Sequence, residues 1–365
     1  MPVIHTGDCK PDLFQNPRRN IERMKSNRFK EISNPMFNKR MSLAVKGVAI
    51  LMMLAHHCFA FPEYWLDGFS VGTIPSIVYS NFKICVAVFA FITGYGFFVG
   101  KEKTYKDILD KVLKFLLQYW LQLFLIFLPV ATIHFTFSPK RIFYNLIALY
   151  DLIILFAWYV FFHYFVLLTF PLVKRLLTKG PGFNLAIVLL GGYCVTAVLY
   201  FLPFKNPLTR MLLDCSIYYP VVGVGYLCAR YGVLDRLTQR VRLWGAIAII
   251  AGIFLLRAKV SVIKGFSFDT FYAPMLIMSL CIILEKCRPI HAVLVFLGKH
   301  SFHMWLFHSI FFSAYTRDVV QRLITWTSVP VIRFLLITCS SLGVAVLLDW
   351  LWGVCSKQLR KITVK

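Results

Sequence analysis

The chain has 365 residues, of which 59% are hydrophobic and only 15% are charged, against about 25% charged residues in soluble domains. Polar side chains are too few to cover this much apolar surface in water, and disordered chains are poor in aromatic residues. A soluble domain and a disordered chain are therefore both excluded. The net charge of +24 is typical either of nucleic-acid binding or of a membrane protein with basic cytoplasmic loops.

Residues 1–42 carry nine basic and four acidic side chains, and we expect a basic cytoplasmic tail. Ten apolar segments follow, most of them close to the roughly 20 helical residues that cross a bilayer. The stretch 142–153 is interrupted by Asn145 and Asp151, which favours an interfacial or re-entrant helix over a crossing. The sequence thus predicts an all-α polytopic transmembrane bundle over 43–355, followed by a basic cytoplasmic tail at 356–365. The predicted spans are 43–61, 81–100, 114–134, 154–173, 183–202, 215–229, 243–257, 268–285, 302–315 and 330–354.

Ten crossings place both termini on the same side of the membrane. That side receives 28 of the 40 Lys and Arg residues, and the opposite loops and span ends receive ten. Because cytoplasmic loops carry the excess of basic residues, both termini are predicted to be cytoplasmic. Topology then explains most of the positive charge, so the expected partners include membrane lipids and not nucleic acid.

Two ionisable residues share one face of the first span. Lys46 and His57 are eleven residues apart, which is three helical turns plus about 20°, or about 16 Å along the axis, whereas His56 points about 80° away. Ionisable groups at membrane depth are costly and therefore candidates for function. The pair suits a site that spans the membrane. Lys46 would be the cation that binds an anionic donor near the cytoplasm, and His57 would be a proton-transfer group deeper in the membrane. Alternatively, Lys46 extends to the lipid headgroups and the histidines make packing hydrogen bonds.

Other candidates are fewer and weaker. Lys111 and Lys114 are spaced i, i+3 where the third span begins, so they either hold phosphates or merely mark the helix end. His308 lies within an apolar run, whereas His163 is expected to be a core histidine. Acidic residues are scarce at membrane depth, and no CxxC, HExxH, GxSxG or phosphate-binding loop motif is present. Acid–base chemistry would therefore depend on histidine, and no metal site is expected.

At these residues the sequence resembles acyltransferase family 3, a group of membrane proteins that transfer acyl groups, most often acetyl from acetyl-CoA. Lys46-Gly47 and His57 match the family's first-span signature of arginine, ten residues and histidine, with lysine in place of arginine. Lys111 and Lys114 match a basic pair before the third span. The remaining matches are Phe89-Ala-Phe-Ile-Thr-Gly94-Tyr, Trp158-Tyr159 and Leu297-Gly-Lys-His-Ser301…Trp305-Leu-Phe-His308. The resemblance covers roughly 40–355.

The resemblance implies an integral membrane O-acyltransferase in a bacterial inner membrane, with a glycan or lipid-linked saccharide as acceptor. Acetyl-CoA would bind through Lys46, Lys111 and Lys114, and His57 would act as general base. His56 and His308 would assist as catalytic residues, orienting the thioester or completing a proton path. The matched positions Trp158, Tyr159 and Ser301 are the candidates for substrate binding.

Two other classes of function stay open from the sequence. A transporter or flippase for an anionic or lipid-linked substrate fits the span count, but it lacks the buried carboxylates and paired broken helices common in such proteins. A membrane anchor or assembly subunit would tolerate apolar residues at Lys46 and His57. Consumption of acetyl-CoA separates the enzyme from the transporter.

Overall fold

The structure is a computed structural model that describes residues 35–131, 136–150, 152–203, 206–260, 262–263 and 266–363. Most of the predicted tail at 1–42, Asp151 and the last two residues lie outside the described residues. The longer helices are α1 Lys39–Phe59, α2 Thr73–Ser80, α3 Cys85–Val99, α4 Tyr105–Gln122, α6 Pro139–Leu146, α7 Trp158–Leu176, α9 Gly192–Phe201, α10 Pro207–Tyr231, α12 Leu243–Lys259, α13 Asp269–Lys286, α14 Arg288–Phe307 and α16 Pro330–Thr363. Short helices are α5 Leu128–Ala131, α8 Pro181–Ala186, α11 Val233–Thr238 and α15 Arg317–Val320, and the short strands β1 Val262–Ile263 and β2 Phe266–Ser267 pair antiparallel.

The predicted all-α membrane bundle is confirmed. Seven helical segments of the described chain are long and apolar enough to cross a membrane. Some of them join two helices through a 3₁₀ turn or a π-helical segment, so that α2 and α3 form one segment over Thr73–Val99. Helices α12, α13 and α14 are not among the seven, and the ten crossings and the cytoplasmic termini stay predictions. The seven segments are Lys39–Phe59, Thr73–Val99, Tyr105–Ala131, Trp158–Leu176, Pro181–Phe201, Pro207–Tyr231 and Pro330–Ser356.

Helix boundaries follow local capping signals that hydropathy does not contain. The Asn38 side chain accepts hydrogen bonds from two backbone amides and begins α1, and a capping box of Thr104 and Asp107 begins α4. The predicted span 302–315 is wrong in position: α14 begins at Arg288, and the chain turns into a 3₁₀ segment at His308. The polar Lys299 and His300 lie inside this helix, although their polarity had suggested a loop.

The stretch 142–153 does not form one helix. Helix α6 ends at Leu146, and the chain continues as a turn in which Ala148 has a positive φ of 52°. The buried Asn145 holds this turn, because its Oδ1 accepts a hydrogen bond from the Ile153 amide at 2.8 Å. The polar residue that interrupts the apolar stretch therefore supports a loop that leads into α7.

Glycines let four helices approach each other at backbone distance. A Cβ atom on Gly47 of α1 would lie 2.1 Å from the Leu294 carbonyl oxygen, and one on Gly298 of α14 would lie 1.9 Å from the Leu43 carbonyl oxygen. Small residues at crossings are common in membrane helices for this reason. Helices α3 and α10 cross in the same way, through Gly94 and Gly225. The first crossing fixes α14 beside α1 and thereby brings the ends of both helices together.

A loop between α1 and α2 covers the C-terminal end of α1. The guanidinium of the buried Arg333 pairs with Asp67 of this loop and stacks on Trp65 and Phe69, 4.7 and 4.1 Å from the ring centroids. The Asp67 pKa is lowered, chiefly by its hydrogen bond to Arg333. The Trp65 indole also donates to the Cys58 carbonyl at 2.9 Å. These contacts hold the loop against α1 and α16.

Candidate active site

A cavity of about 850 Å³ lies at the N-terminal end of α1. Lys46 lines it from α1, Lys111 from α4 and His163 from α7, and the residues 92–103 that end α3 and lead towards α4 form much of the wall. Pro171 and Lys174 of α7 line the same cavity. This volume lies within the usual range for sites that bind small molecules and cofactors.

The large cavity is strongly basic. Its two lining carboxylates are engaged, because Glu102 pairs with Lys174 at 3.0 Å and Asp235 accepts the Met36 amide at 2.9 Å. Lys46 and Lys111 both line the cavity, so their two charges face the same space. The basic lining residues are Lys39, Lys46, Lys101, Lys103, Lys111, His163 and Lys174. A molecule with several negative charges fits this lining.

Two residues predicted for the site lie elsewhere. Lys114 is exposed on α4 and lines neither this cavity nor the smaller one described next. Ser301 is buried, and its hydroxyl donates to the Gly298 carbonyl at 3.0 Å within α14. Neither side chain therefore shares one of these two cavities with the other candidates.

A smaller cavity of about 40 Å³ lies near the other end of α1. His56 and His57 of α1, and Trp158 and Tyr159 of α7, line this cavity. The other lining residues are Met53, Lys83, Cys85, Val86, Phe156 and Trp305. At about 10–15 Å³ for each water molecule, the cavity has room for about three waters or for one small functional group of a ligand.

His57 and His308 form a hydrogen-bonded pair in this region. The His57 Nδ1 and the His308 Nε2 lie 2.8 Å apart, although the two residues are 251 positions apart in the chain. The Phe156 ring stacks on His57 with centroids 3.6 Å apart and planes within 7°. The same ring lies 5.3 Å from the His308 ring. The stacking fixes the plane of both imidazoles.

The partners of each histidine decide what it can do. His56 must donate from Nδ1, because its partner is the Tyr79 carbonyl oxygen at 3.0 Å. In the His57–His308 pair one ring donates and the other accepts. When His57 donates from Nδ1, its Nε2 keeps a free lone pair and can accept a proton. His308 is fully buried, and its Nδ1 makes no hydrogen bond of ordinary geometry within the described residues.

Helix α7 connects the two cavities. Tyr159 lines the small cavity and His163 lines the large one, and residues four apart lie one turn, or about 6 Å, apart along a helix. The buried Tyr159 hydroxyl makes no hydrogen bond of ordinary geometry with the described residues. Helix α1 also runs from one cavity to the other, because Lys46 lines the large cavity and His57 lines the small one.

Three residues of this region were missed or misplaced by the sequence. His163 lines the large cavity and is not merely a core histidine. Phe156 lies just before α7, and nothing in the local pattern indicates that it stacks on His57. Lys83 belongs to no motif that singled it out, and the structure places it in the wall of the small cavity. Within the described residues no cluster of three or more His, Cys, Asp or Glu side chains is arranged to hold a metal ion.

The chain was compared with curated proteins, solved structures and protein-family models. Neither a curated protein nor a solved structure matches the chain significantly. The family model described as an acyltransferase domain, that of acyltransferase family 3, matches residues 44–350. This range contains both cavities except for the N-terminal rim of the larger one. The chain therefore belongs to this family and is a multi-pass membrane acyltransferase.

Proposed function

We propose that the protein transfers an acetyl group from acetyl-CoA to a hydroxyl group of a cell-surface or exported glycan. The observation that carries the proposal is the arrangement of a basic cavity and a histidine-lined cavity one turn of α7 apart. A donor bound in the first would present its thioester to the second. The bacterial inner membrane is the proposed location, since the family resemblance implies it.

The donor binds in the large cavity, with its phosphates beside Lys46 and Lys111. Both lysines line this cavity, and hydrogen bonds between ammonium groups and phosphates are among the stronger ones in proteins. Lys103 and Lys174 lie on the same lining and add positive charge for further phosphates. Lysine binds phosphate as a point charge, without the planar fork of arginine, so the lysines tolerate some variation in phosphate position.

His57 acts as general base in the small cavity. Its Nε2 takes the proton of the acceptor hydroxyl while that oxygen attacks the thioester carbonyl carbon. The C–S bond then breaks, and the leaving thiolate takes up the proton from His57 to give free coenzyme A and the ester. General-base catalysis of this kind contributes about 10²–10⁴ in rate. His308 holds the His57 Nδ1–H, and Phe156 holds the plane of the ring.

The Tyr159 hydroxyl stabilises the charge that develops on the carbonyl oxygen. It is buried, lacks a hydrogen bond of ordinary geometry within the described residues and belongs to a residue that lines the small cavity. A donor aimed at a developing oxyanion contributes about 10²–10³ in kcat. His56 stabilises the backbone next to the site, because its Nδ1 donates a hydrogen bond to the Tyr79 carbonyl.

The test compares the His57→Ala variant with the wild type. In cells that produce equal amounts of each protein, mass spectrometry of the surface glycan reports acetyl esters. We expect the ester signal to depend on the protein and to be lost in His57→Ala. The matched control is His291→Ala, because His291 lies on α14 and lines neither cavity.

Purified protein in detergent provides the second readout. Release of coenzyme A from acetyl-CoA, followed through its thiol, is expected from the wild type and not from His57→Ala. Ester formation that persists in His57→Ala would assign the base elsewhere. A purified protein that consumes no acetyl-CoA with any acceptor would instead favour another acyl donor or the transport of an anionic substrate.

A further inference from the structure

Lys83 lies on a turn that several distant groups hold in place. The turn Asn81–Ile84 joins α2 to α3, and Lys83 lines the small cavity from it. The Arg257 guanidinium donates from Nη1 to the Asn81 carbonyl at 2.8 Å. His56 donates to the Tyr79 carbonyl two residues earlier. The backbone that leads into Lys83 is therefore held at two points.

The charge of Arg257 is already neutralised. Its Nε and Nη2 donate to the two carboxylate oxygens of Asp269 at 2.7 and 3.0 Å, and the two side chains are only 5% and 1% exposed. A bidentate pair of this kind is geometrically specific. The pair joins α12 to α13 and holds the turn without offering a free charge to the cavity.

Lys83 is different, because its charge is not balanced inside the cavity wall. The small cavity is lined by two histidines and neutral residues, and Lys83 is the single Lys, Arg, Asp or Glu of its described lining. The charge of Lys83 acts on Asp214, but Asp214 lines neither cavity. No carboxylate among the described residues comes within ion-pair distance of the Lys83 ammonium. Lys83 is exposed, so its ammonium group can reach an anionic group of a ligand that enters the small cavity.

Lys83 lies on the acceptor side of the proposed reaction. It does not line the large cavity, where Lys46 and Lys111 would meet the donor. It shares the small cavity with His57, whose Nε2 would receive the proton of the acceptor hydroxyl. An anionic group held by Lys83 would therefore belong to the molecule that carries this hydroxyl.

We infer that Lys83 binds a negatively charged group of the acceptor, a carboxylate or a phosphate, close to the hydroxyl that is acylated. The inference rests on the proposed function and narrows it to acidic acceptors. An ion-paired hydrogen bond is stronger than one between neutral groups, so the lysine selects charged acceptors over neutral ones of the same shape. The phosphate of a lipid headgroup offers the same chemistry, and the experiment has to distinguish the two.

The kinetic test uses purified protein in a neutral detergent with acetyl-CoA. Methyl glucuronide and methyl glucoside serve as acceptors, since they differ in a carboxylate. We expect a lower KM for the glucuronide in the wild type, a rise of that KM by about tenfold or more in Lys83→Met, and its recovery in Lys83→Arg. The KM for the glucoside is expected to change little. Lys140→Met is the matched control, because Lys140 is exposed and lines neither cavity.

A binding test does not depend on turnover. We expect methyl glucuronide to raise the melting temperature of the wild type and of Lys140→Met more than methyl glucoside does, because a ligand that binds the folded state stabilises it. The difference is expected to vanish in Lys83→Met. Repeating the measurement with added phosphatidylglycerol separates the two sources of negative charge.

The outcomes separate the inference from the proposed function. Equal KM values and equal melting shifts for the two sugars in the wild type would overturn the acceptor role while acyl transfer stands. A Lys83→Met effect that appears only with phosphatidylglycerol would assign the lysine to a lipid headgroup. That result would also overturn the acceptor role. A melting shift specific to the glucuronide and to Lys83, without any transfer, would support the anion site and contradict acetyl transfer.

Discussion

In the proposed mechanism, His308 determines which nitrogen of His57 is available for chemistry. The pair is joined through the His57 Nδ1 and the His308 Nε2 at 2.8 Å. An imidazole whose Nδ1 is held as a donor exposes a basic Nε2, whereas a ring without such a partner populates both tautomers. In the proposed mechanism His308 is thus a positioning residue, which acts through His57 and not on the acceptor.

Replacement of His308 by phenylalanine keeps a ring next to Phe156 but removes the acceptor for the His57 proton. We expect kcat for acetyl transfer to fall by about 10²-fold, within the range of general-base catalysis. Without the acceptor, only part of the His57 population carries its proton on Nδ1 and keeps Nε2 basic. The KM for acetyl-CoA is expected to stay within about twofold, since the large cavity is unchanged. Steady-state kinetics of the purified protein measure both parameters.

His291→Phe, on the same helix and outside both cavities, controls for the loss of a histidine from α14. A proportionate rise in KM with unchanged kcat in His308→Phe would contradict the positioning role. Such a result would place His308 among the groups that bind the donor.

At the scale of elements, the crossing of α1 and α14 positions the histidine pair. Gly47 and Gly298 lie at the crossing, and His57 and His308 each lie ten residues, or about 15 Å, further along. A change in the crossing is therefore carried along two rigid helices to their ends. The distance between the two imidazoles depends on glycines that touch neither ring.

Gly298→Ala tests this crossing. Its Cβ would lie 1.9 Å from the Leu43 carbonyl oxygen, and backbone cannot give way as a flexible side chain does. Overpacking typically costs about 1–3 kcal/mol, so we expect a lower melting temperature and lower activity in detergent. Gly343→Ala on α16 is the control, because a Cβ there meets nothing within 4 Å. Equal melting temperatures for both variants would show that the helices separate without cost.

Hydropathy and spacing predict the helices well but not their ends or their pairing. The shared face of Lys46 and His57 follows from helical geometry, and the two residues line the two cavities. The beginning of α14 was misplaced because Lys299 and His300 interrupt the apolar pattern. His300 lies in the helix all the same, since its Nδ1 bonds Asp349 at 2.5 Å.

The composition of the site depends on contacts between distant parts of the chain. The Phe156 ring and the His308 imidazole meet His57 through tertiary packing, which no local pattern encodes. Lys114 has the right residue type and spacing, yet its position on α4 directs it away from the cavity that Lys111 lines. A motif therefore indicates which residues are candidates, and packing decides which of them meet.

For the whole molecule, the side of the membrane that each cavity faces decides the direction of the reaction. The large cavity lies at the N-terminal end of α1, and its rim includes Lys39 and Lys101. The side predicted to be cytoplasmic carries 28 of the 40 Lys and Arg residues. Acetyl-CoA is a cytoplasmic metabolite in the proposed reaction, so the basic cavity has to open on that side.

Cysteine labelling tests this orientation. Lys106 on α4 and Lys140 on α6 are both exposed, and the predicted topology places them on opposite sides of the membrane. Lys106→Cys and Lys140→Cys are made in a protein whose exposed Cys194, Cys339 and Cys355, together with Cys9, are serine. In intact cells a membrane-impermeant maleimide is expected to label Lys140→Cys and to reach Lys106→Cys only after permeabilisation. The reverse pattern would turn the large cavity away from the cytoplasm, and acetyl-CoA could then not be the donor that enters there.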